Sequence, residues 1–150
     1  MDKKKILTNS QIKRKIKRIS LQIIESNFEE KEVILAGIEQ NGFLLAKELN
    51  KMITELSKLS IKLCSLKIDK KNPLNNISTS LNSSEYKNKS IVVVDDVLNS
   101  GSTLMYAVKH FLDTELRQLK TAVLVDRNHK KYPIKADFKG VSLSTSIQNH

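Results

Sequence analysis

Apolar residues along the chain follow two spacings, and each spacing predicts a different kind of element. Runs of adjacent apolar residues predict buried strands over residues 33–36, 61–68, 91–94 and 122–125. Elsewhere, apolar residues recur every three or four positions, which predicts helices over residues 8–26, 43–56 and 105–119. Because strands and helices alternate, we expect an α/β fold with a mostly parallel, twisted sheet and helices on both faces.

The first predicted helix has a capping signal and a basic outer face. Thr8 and Gln11 have the spacing of a capping box, which predicts the start of the helix. The outer face carries Lys13, Arg14, Lys15, Lys17 and Arg18. Two interpretations of this face remain open: an ordinary solvated surface and a surface that binds nucleic acid.

A long polar stretch separates the second predicted strand from the third. Residues 69–88 are rich in Asn, Ser and Lys and include Pro73. Loops of this length inside a domain are usually functional or disordered. We predict that this segment is a lid over a ligand pocket.

The third predicted strand leads directly into residues suited to a sugar phosphate. Asp95 and Asp96 follow the strand, and a carboxylate accepts hydrogen bonds from neutral sugar hydroxyls. A glycine-containing turn at the start of a helix binds phosphate through free backbone N–H groups, the helix dipole and neighbouring hydroxyls. The chain places such a turn directly after the acidic pair and before the next helix, with the residues Asn99, Ser100, Gly101, Ser102 and Thr103. The segment therefore predicts a ribose 5-phosphate site.

A second glycine-bounded turn follows the first predicted strand. Residues 37–42 contain Glu39, Gln40, Asn41 and Gly42, and a helix starts after them. The carboxyl ends of parallel strands meet at one edge of the sheet, where such folds bind their ligands. We therefore expect a second anion pocket beside the first.

Composition and length indicate the class of partner and the number of domains. The chain has 150 residues and a net charge of +10, which favours anionic partners such as phosphorylated substrates or nucleic acid. The length predicts a single domain over residues 1–150. The single cysteine, Cys64, excludes an internal disulfide and fits a reducing cytoplasm, so we expect a cytoplasmic protein. No segment has the apolar length of a membrane span or of a signal peptide, so we expect no membrane partner.

Two segments resemble known signatures. Residues 91–103 combine four apolar residues, an acidic pair and Ser-Gly-Ser-Thr, and they resemble the phosphoribosyl diphosphate (PRPP) motif of type I phosphoribosyltransferases. Residues 126–138, which read DRNHKKYPIKADF, resemble the hood segment of bacterial pyrimidine operon attenuation regulators. Proteins of that group pair uracil phosphoribosyltransferase activity with binding of messenger RNA.

The resemblance implies a type I phosphoribosyltransferase fold with a small hood, mainly residues 126–146, and a Mg²⁺-assisted transfer of ribose 5-phosphate from PRPP to a nucleobase, with uracil favoured. It assigns the ribose hydroxyls to Asp95 and Asp96, the 5-phosphate to residues 99–103 and the diphosphate to residues 39–42. It also implies a homo-oligomer, with a dimer favoured, and contact with a messenger RNA leader. The remaining assignments are Asp126, Arg127 and Phe138 for the base and hood, and Arg18, His129 and Lys135 for RNA.

Alternatives stay open at three points. Phe138 is as well explained by packing in the core as by contact with the base. His129 is as well explained as an exposed loop residue without a role as by contact with RNA. The family's diphosphate loop normally has Arg or Lys before its glycine, whereas this chain has Asn41 before Gly42. The alternative functions are therefore a PRPP- or nucleotide-sensing RNA-binding regulator with little or no catalysis, and a binding module that keeps only the 5-phosphate pocket.

Overall fold

A computed structural model describes residues 7–144 of the chain. Four helices and six strands lie along these residues. The helices are α1 (Asn9–Ser26), α2 (Asn41–Leu56), α3 (Ser83–Tyr86) and α4 (Ser102–Phe111). The strands are β1 (Glu32–Ile38), β2 (Ser60–Lys67), β3 (Ser78–Thr79), β4 (Ser90–Leu98), β5 (Gln118–Asp126) and β6 (Phe138–Ser142).

The strands form one sheet in the order β3-β2-β1-β4-β5-β6. Every pairing is parallel except that of β3, a two-residue strand that runs antiparallel to β2. From β1 the chain crosses through α2 to β2 on one side, and from β4 it crosses through α4 to β5 on the other. The order of the strands therefore reverses between β1 and β4, which is the position where open α/β sheets bind ligands.

Both faces of the sheet are covered, as the apolar pattern predicts. One core lies under α1 and α2 and includes Ile19, Ile23 and Leu49, none of which is exposed. The opposite core lies under α4 and includes Phe111 and Tyr86, whose rings meet edge to face with centroids 5.1 Å apart. The predicted fold class is confirmed, and its hydrophobic cores fix the sheet that carries the site.

The predicted start of α1 is confirmed, whereas the predicted end of α4 is wrong. Thr8 caps α1: its side chain accepts from the backbone N–H of Gln11, whose side chain accepts from that of Thr8. The helix expected over 105–119 ends at Phe111, and Gln118 already pairs with Ser90 in the sheet. Hydrogen bonding of β5 to β4 replaces the helix that local spacing favours.

Two other segments contain more regular structure than the sequence suggested. The predicted lid, residues 69–88, includes the strand β3 and the helix α3, and Tyr86 at the end of α3 is only 4% exposed. Within the predicted hood, residues 138–142 form β6 and pair with β5 in the main sheet. Residues 145 and 146 of that segment lie outside the described residues. Among residues 7–144, no helix combines the length and the hydropathy required to cross a membrane.

Candidate functional site

The two glycine turns predicted to bind anions flank the point where the strand order reverses. The first turn follows β1 and leads into α2, and the second follows β4 and leads into α4. Since β1 and β4 are neighbours in the sheet, both turns and the acidic pair of β4 lie at the same edge. The fold thus brings together the segments that the sequence assigned to ribose, 5-phosphate and diphosphate.

The acidic pair lies within β4, which continues to Leu98 and does not stop at Val94. Asp95 is 3% exposed, and its Oδ1 accepts a hydrogen bond from the backbone N–H of Asp96 at 2.9 Å. Burial raises the pKa of Asp95 to about 7, the charge of Lys70 opposes that rise, and the charge of Asp96 adds to it. The pair therefore combines a carboxyl that changes charge near neutral pH with the half-buried Asp96.

The first turn approaches the acidic pair closely through Gly42. A Cβ built on Gly42 would lie 2.5 Å from the carbonyl oxygen of Val94 and 3.1 Å from Oδ1 of Asp95. Only a residue without a side chain allows this approach of α2 to β4. Glu39 continues the sheet by donating its N–H to the carbonyl of Leu66 at 2.9 Å, while Gln40 and Asn41 are exposed. The Glu39–Gln40 peptide is cis.

We call the second turn, residues 99–103, the phosphate loop, after the ligand that the sequence predicts for it. Gly101 has φ 93°, a left-handed conformation that favours glycine, and it caps α4. The hydroxyl of Ser100 accepts from the N–H of Ser102 at 3.2 Å, which folds the loop over the start of the helix. Ser102 and Thr103 form the first turn of α4, where backbone N–H groups and the helix dipole favour an anion.

A cavity of about 100 Å³ joins Asp95 to this loop. Its lining includes Asn99, Ser100, Gly101, Thr103 and Lys70. Lys70 was missed by sequence reasoning, yet its Nζ lies 3.8 Å from Oδ1 of Asp95. No local pattern marks it, because it belongs to the polar segment 69–88 and meets Asp95 only through the fold. The cavity thus holds carboxylate, hydroxyl and ammonium groups together.

The hood segment after β5 is fastened to the phosphate loop. The carbonyl of Ser100 accepts from the N–H groups of Lys131 and Tyr132, at 2.7 and 3.2 Å. A Cβ on Gly101 would lie 2.5 Å from Cγ2 of Ile134. Residues 127–134 therefore form a wall that packs against the phosphate loop beside the cavity.

Asp126 and Arg127 lie at the root of this wall. The Asp126 side chain is 1% exposed; its Oδ1 accepts from the N–H of Asn128 at 3.0 Å. The ammonium groups of Lys130 and Lys139 lie 3.6 and 3.7 Å from its Oδ2. Arg127 donates its backbone N–H to the carbonyl of Leu98 at 3.0 Å. These contacts hold the end of β5 to the end of β4.

Phe138 lies in the core, which is the alternative that the sequence left open for it. It is 8% exposed and packs with the residues under α1 and α2. The neighbouring Asp137 anchors β6, because its Oδ2 accepts from the N–H of Thr121 at 2.9 Å. Thr121 in turn donates its hydroxyl to the carbonyl of Lys135 at 2.7 Å. Asp137 and Phe138 therefore contribute to the structure of the sheet and its core.

The residues assigned to RNA lie on three separate segments: Arg18 on α1, His129 in the loop after β5 and Lys135 just before β6. Arg18 donates from one nitrogen to the carbonyls of Lys139 and Gly140, the first at 3.1 Å, and so fastens α1 to β6. Lys135, Lys139 and His129 are all exposed. Lys135 and Lys139 are four positions apart in the sequence, whereas His129 lies in the loop after β5. Arg18 and Lys139 thus form a basic junction, and His129 belongs to the hood wall.

The described residues fit Mg²⁺ only as an ion shared with a substrate. Among residues 7–144, no group of three or more His, Cys, Asp or Glu side chains is arranged to hold a metal ion. Asp95, which lines the cavity, and its neighbour Asp96 nevertheless supply carboxylate oxygens near the end of β4. Mg²⁺ commonly binds one or two carboxylates together with substrate phosphates and water, and these two residues are suited to that arrangement.

Comparison with known proteins agrees with this geometry. A family model described as the phosphoribosyl transferase domain matches residues 2–150. The "Bifunctional protein PyrR" of Pediococcus pentosaceus is 33% identical over 153 residues, covering 95% of this chain and 86% of the relative. The protein of the same name from Streptococcus thermophilus is 34% identical over 149 residues, covering 97% of this chain and 86% of that protein.

Solved structures show the same fold. A hypoxanthine-guanine phosphoribosyltransferase from Bacillus anthracis superposes with a TM-score of 0.78 at 22% identity, over 93% of this chain and 82% of that one. The hypoxanthine phosphoribosyltransferase of Trypanosoma cruzi superposes with a TM-score of 0.76 at 15% identity, over 89% and 78%. The resemblance found in the sequence is thereby confirmed, and the chain belongs to the phosphoribosyl transferase domain family.

Proposed function

We propose that this domain transfers ribose 5-phosphate from PRPP to a nucleobase, with uracil favoured, and releases diphosphate. The observation that carries this proposal is a cavity that is lined both by the buried Asp95 and by the loop 99–103. Strand β4 and the turn after it fix the distance between two groups. One is the Asp95 carboxylate, which would accept from the ribose hydroxyls, and the other is residues 99–103, which would bind the 5-phosphate. Residues 126–138 support the choice of a pyrimidine base, because they resemble the hood segment of pyrimidine operon attenuation regulators.

In the proposed reaction, the bond between C1 of the ribose and the diphosphate oxygen breaks, and a bond from a ring nitrogen of the base to C1 forms. The ring nitrogen releases its proton to water, and the diphosphate leaves with the electron pair of the broken bond. The carboxylates of Asp95 and Asp96 hold the 2- and 3-hydroxyls and stabilise the positive charge that develops at C1. Mg²⁺, when bound with PRPP, neutralises part of the diphosphate charge, and Asp95 and Asp96 are the residues that would hold it.

The base would lie between the acidic pair and the hood wall. Asp126 and Arg127 are at the root of that wall, and residues 127–134 complete it. Because Lys130 and Lys139 already neutralise Asp126, we assign Asp126 to shaping the wall. The backbone groups of the wall are then the donors and acceptors that read the edge of the base. Phe138, which packs in the core, has no role in this proposal.

Titration with PRPP and with ribose 5-phosphate in the presence of Mg²⁺ tests the sugar-phosphate site. The parent protein should bind both ligands, and PRPP more tightly. A double variant, Asp95→Asn with Asp96→Asn, should weaken PRPP binding by at least about tenfold, since the amide donors no longer match the ribose hydroxyls. Unchanged affinity in the folded double variant would contradict the assignment of the acidic pair.

A second candidate function is nucleotide-controlled binding of RNA. The observation that favours it is the basic junction between Arg18 and Lys139, which continues into the exposed Lys13, Arg14 and Lys17 of α1. A hairpin RNA from a pyrimidine operon leader should bind with a strong dependence on salt. The nucleotide product UMP should strengthen that binding, and Arg18→Ala with Lys135→Ala should remove the effect. Binding that ignores both UMP and the RNA sequence would reduce this candidate to general attraction by the net charge.

The resemblance also implies a homodimer, and that expectation stays a prediction. Sedimentation equilibrium of the protein with and without PRPP measures it directly.

A further inference from the structure

The loop assigned to the diphosphate carries no basic residue of its own. Residues 39–42 read Glu-Gln-Asn-Gly, so their only charged side chain is the carboxylate of Glu39. The first lysine of α2, Lys47, lies with its Nζ 5.4 Å from the centroid of the Phe43 ring and is engaged there. A diphosphate group at this loop would therefore meet backbone N–H groups and an acidic side chain, and its charge needs a cation from elsewhere in the fold.

Lys70, which lines the cavity, supplies a cation close to this loop. Its Nζ lies 3.8 Å from Oδ1 of Asp95, and the Cβ position of Gly42 lies 3.1 Å from the same oxygen. The Lys70 ammonium and the loop 39–42 therefore converge on one atom. The Lys70 side chain is 48% exposed and lines the cavity, so it is able to reorient without leaving the site.

The backbone around Lys70 is ordered by its neighbour, Asp69. Oδ1 of Asp69 accepts from the N–H groups of Lys71 and Asn72, at 3.0 and 3.3 Å. Oδ2 of Asp69 accepts from the side-chain amide of Asn75 at 3.0 Å. These bonds close a compact turn immediately after Lys70. The turn directs Lys70 towards Asp95 and limits the conformational freedom that binding of a ligand would otherwise remove.

We infer that Lys70 is the diphosphate-binding residue of this protein and takes the place of the cation absent at Asn41. An ammonium group on a flexible four-carbon stem donates up to three hydrogen bonds, and bonds to charged oxygens are among the strongest in proteins. In the free protein Lys70 pairs with Asp95. When PRPP binds, the ribose hydroxyls take over Asp95, and the ammonium moves to the diphosphate oxygens. This inference rests on the proposed function and names one of its ligand contacts.

Affinity measurements on Lys70→Ala, with Lys71→Ala as the matched control, test the inference. The two lysines are adjacent, exposed and equally charged, but only Lys70 contacts Asp95. At fixed Mg²⁺ and pH 8.5, Lys70→Ala should weaken PRPP binding about tenfold or more, the loss expected for one charge-assisted hydrogen bond. Binding of ribose 5-phosphate should change less than about threefold, and Lys71→Ala should change both ligands less than about threefold.

A rescue variant makes the test specific to the diphosphate. Asn41→Arg should strengthen PRPP binding more in the Lys70→Ala protein than in the parent, because an arginine at this loop restores the missing cation. Ribose 5-phosphate should not respond in either background. Equal effects of Lys70→Ala and Lys71→Ala, in a parent that prefers PRPP to ribose 5-phosphate, would overturn the inference alone. A parent without that preference would overturn the proposed function as well.

Discussion

Gly42 lies against Asp95 so closely that a Cβ added to it would be 3.1 Å from the carboxylate oxygen and 2.5 Å from the carbonyl of Val94. This contact joins the start of α2 to the acidic part of β4. It places the loop assigned to the diphosphate directly beside the residues assigned to the ribose, and the absent side chain of Gly42 sets their separation.

The substitution Gly42→Ala should therefore damage both stability and recognition of the diphosphate. The new methyl group meets backbone atoms, so α2 has to move away from β4, at a cost of about 1–3 kcal/mol in the free energy of unfolding. PRPP binding should weaken more than binding of ribose 5-phosphate. Urea denaturation and calorimetric titration measure the two effects.

The matched control for this change is Gly140→Ala. A Cβ on Gly140 would lie 2.6 Å from the carbonyl of Leu124, a similar backbone clash away from the cavity. It should destabilise the fold by a comparable amount and leave the ratio of the two affinities unchanged. If both variants alter that ratio equally, the contact between Gly42 and Asp95 has no special role in diphosphate recognition.

Gly101→Ala should affect both ligands equally, in contrast to Gly42→Ala. Gly101 has φ 93°, and a Cβ there would lie 2.5 Å from Cγ2 of Ile134. Alanine forces the phosphate loop out of this conformation, at a cost of about 1–3 kcal/mol. Since the 5-phosphate is common to PRPP and ribose 5-phosphate, both affinities should fall by a similar factor. A loss confined to PRPP would contradict the assignment of residues 99–103.

Burial of Asp95 makes stability depend on pH. Its pKa is raised from 3.8 to about 7, so the folded protein holds a proton more tightly than the unfolded chain does. Below about pH 4 both states are protonated and burial costs little. The cost grows as the pH rises from about 4 to 7, and above pH 7 it is fully present because the buried group is ionised.

Asp95→Asn removes that cost and should stabilise the free protein at high pH. We expect a gain of roughly 2–4 kcal/mol at pH 8, shrinking to about 1 kcal/mol or less near pH 4.5, together with weaker PRPP binding. Thermal or urea denaturation across this pH range measures it, with the exposed Glu29→Gln as control. A gain that does not change with pH would show that Asp95 does not titrate in this window.

Arg18 should contribute to stability irrespective of any contact with RNA. Its guanidinium donates to the carbonyls of Lys139 and Gly140, whereas Arg14, on the same helix, is exposed. Arg18→Ala should lower the free energy of unfolding by about 1–2 kcal/mol, and Arg14→Ala by less than about 0.5 kcal/mol. Equal effects in urea denaturation would mean that the bond to β6 adds nothing. RNA binding by Arg18 variants has to be compared at equal folded fractions.

The parts of the site that the sequence predicted are those whose chemistry is local. In residues 91–103 a buried strand, two carboxylates, a glycine turn and a helix start follow one another, and each is recognisable from its own residue types. The contact of Gly42 with Asp95 follows from the same logic, because parallel strands place their carboxyl ends at one edge.

Lys70 was not predictable in this way. The stretch 67–71 contains three lysines of similar surroundings in the sequence, and only the three-dimensional turn built on Asp69 selects Lys70 for the cavity. The predicted end of α4 was wrong for a related reason. Leu112, Leu116 and Leu119 continue the helical spacing, but pairing of β5 with β4 begins at Gln118 and overrides it. The sequence alone suits Phe138 equally to stacking on the base and to packing in the core. The register of β6 against β5 decides between them, because it places Phe138 opposite Ala122 and in the core.

Product formation from PRPP, Mg²⁺ and uracil is the most direct test of the proposed transfer reaction. We predict that the parent protein forms UMP and releases diphosphate in equal amounts, and that Asp95→Asn with Asp96→Asn slows this by at least about tenfold. Guanine, hypoxanthine and orotate are assayed in parallel to identify the acceptor. A folded parent protein that binds PRPP but forms no nucleotide with any of the four bases would contradict the proposed transfer reaction.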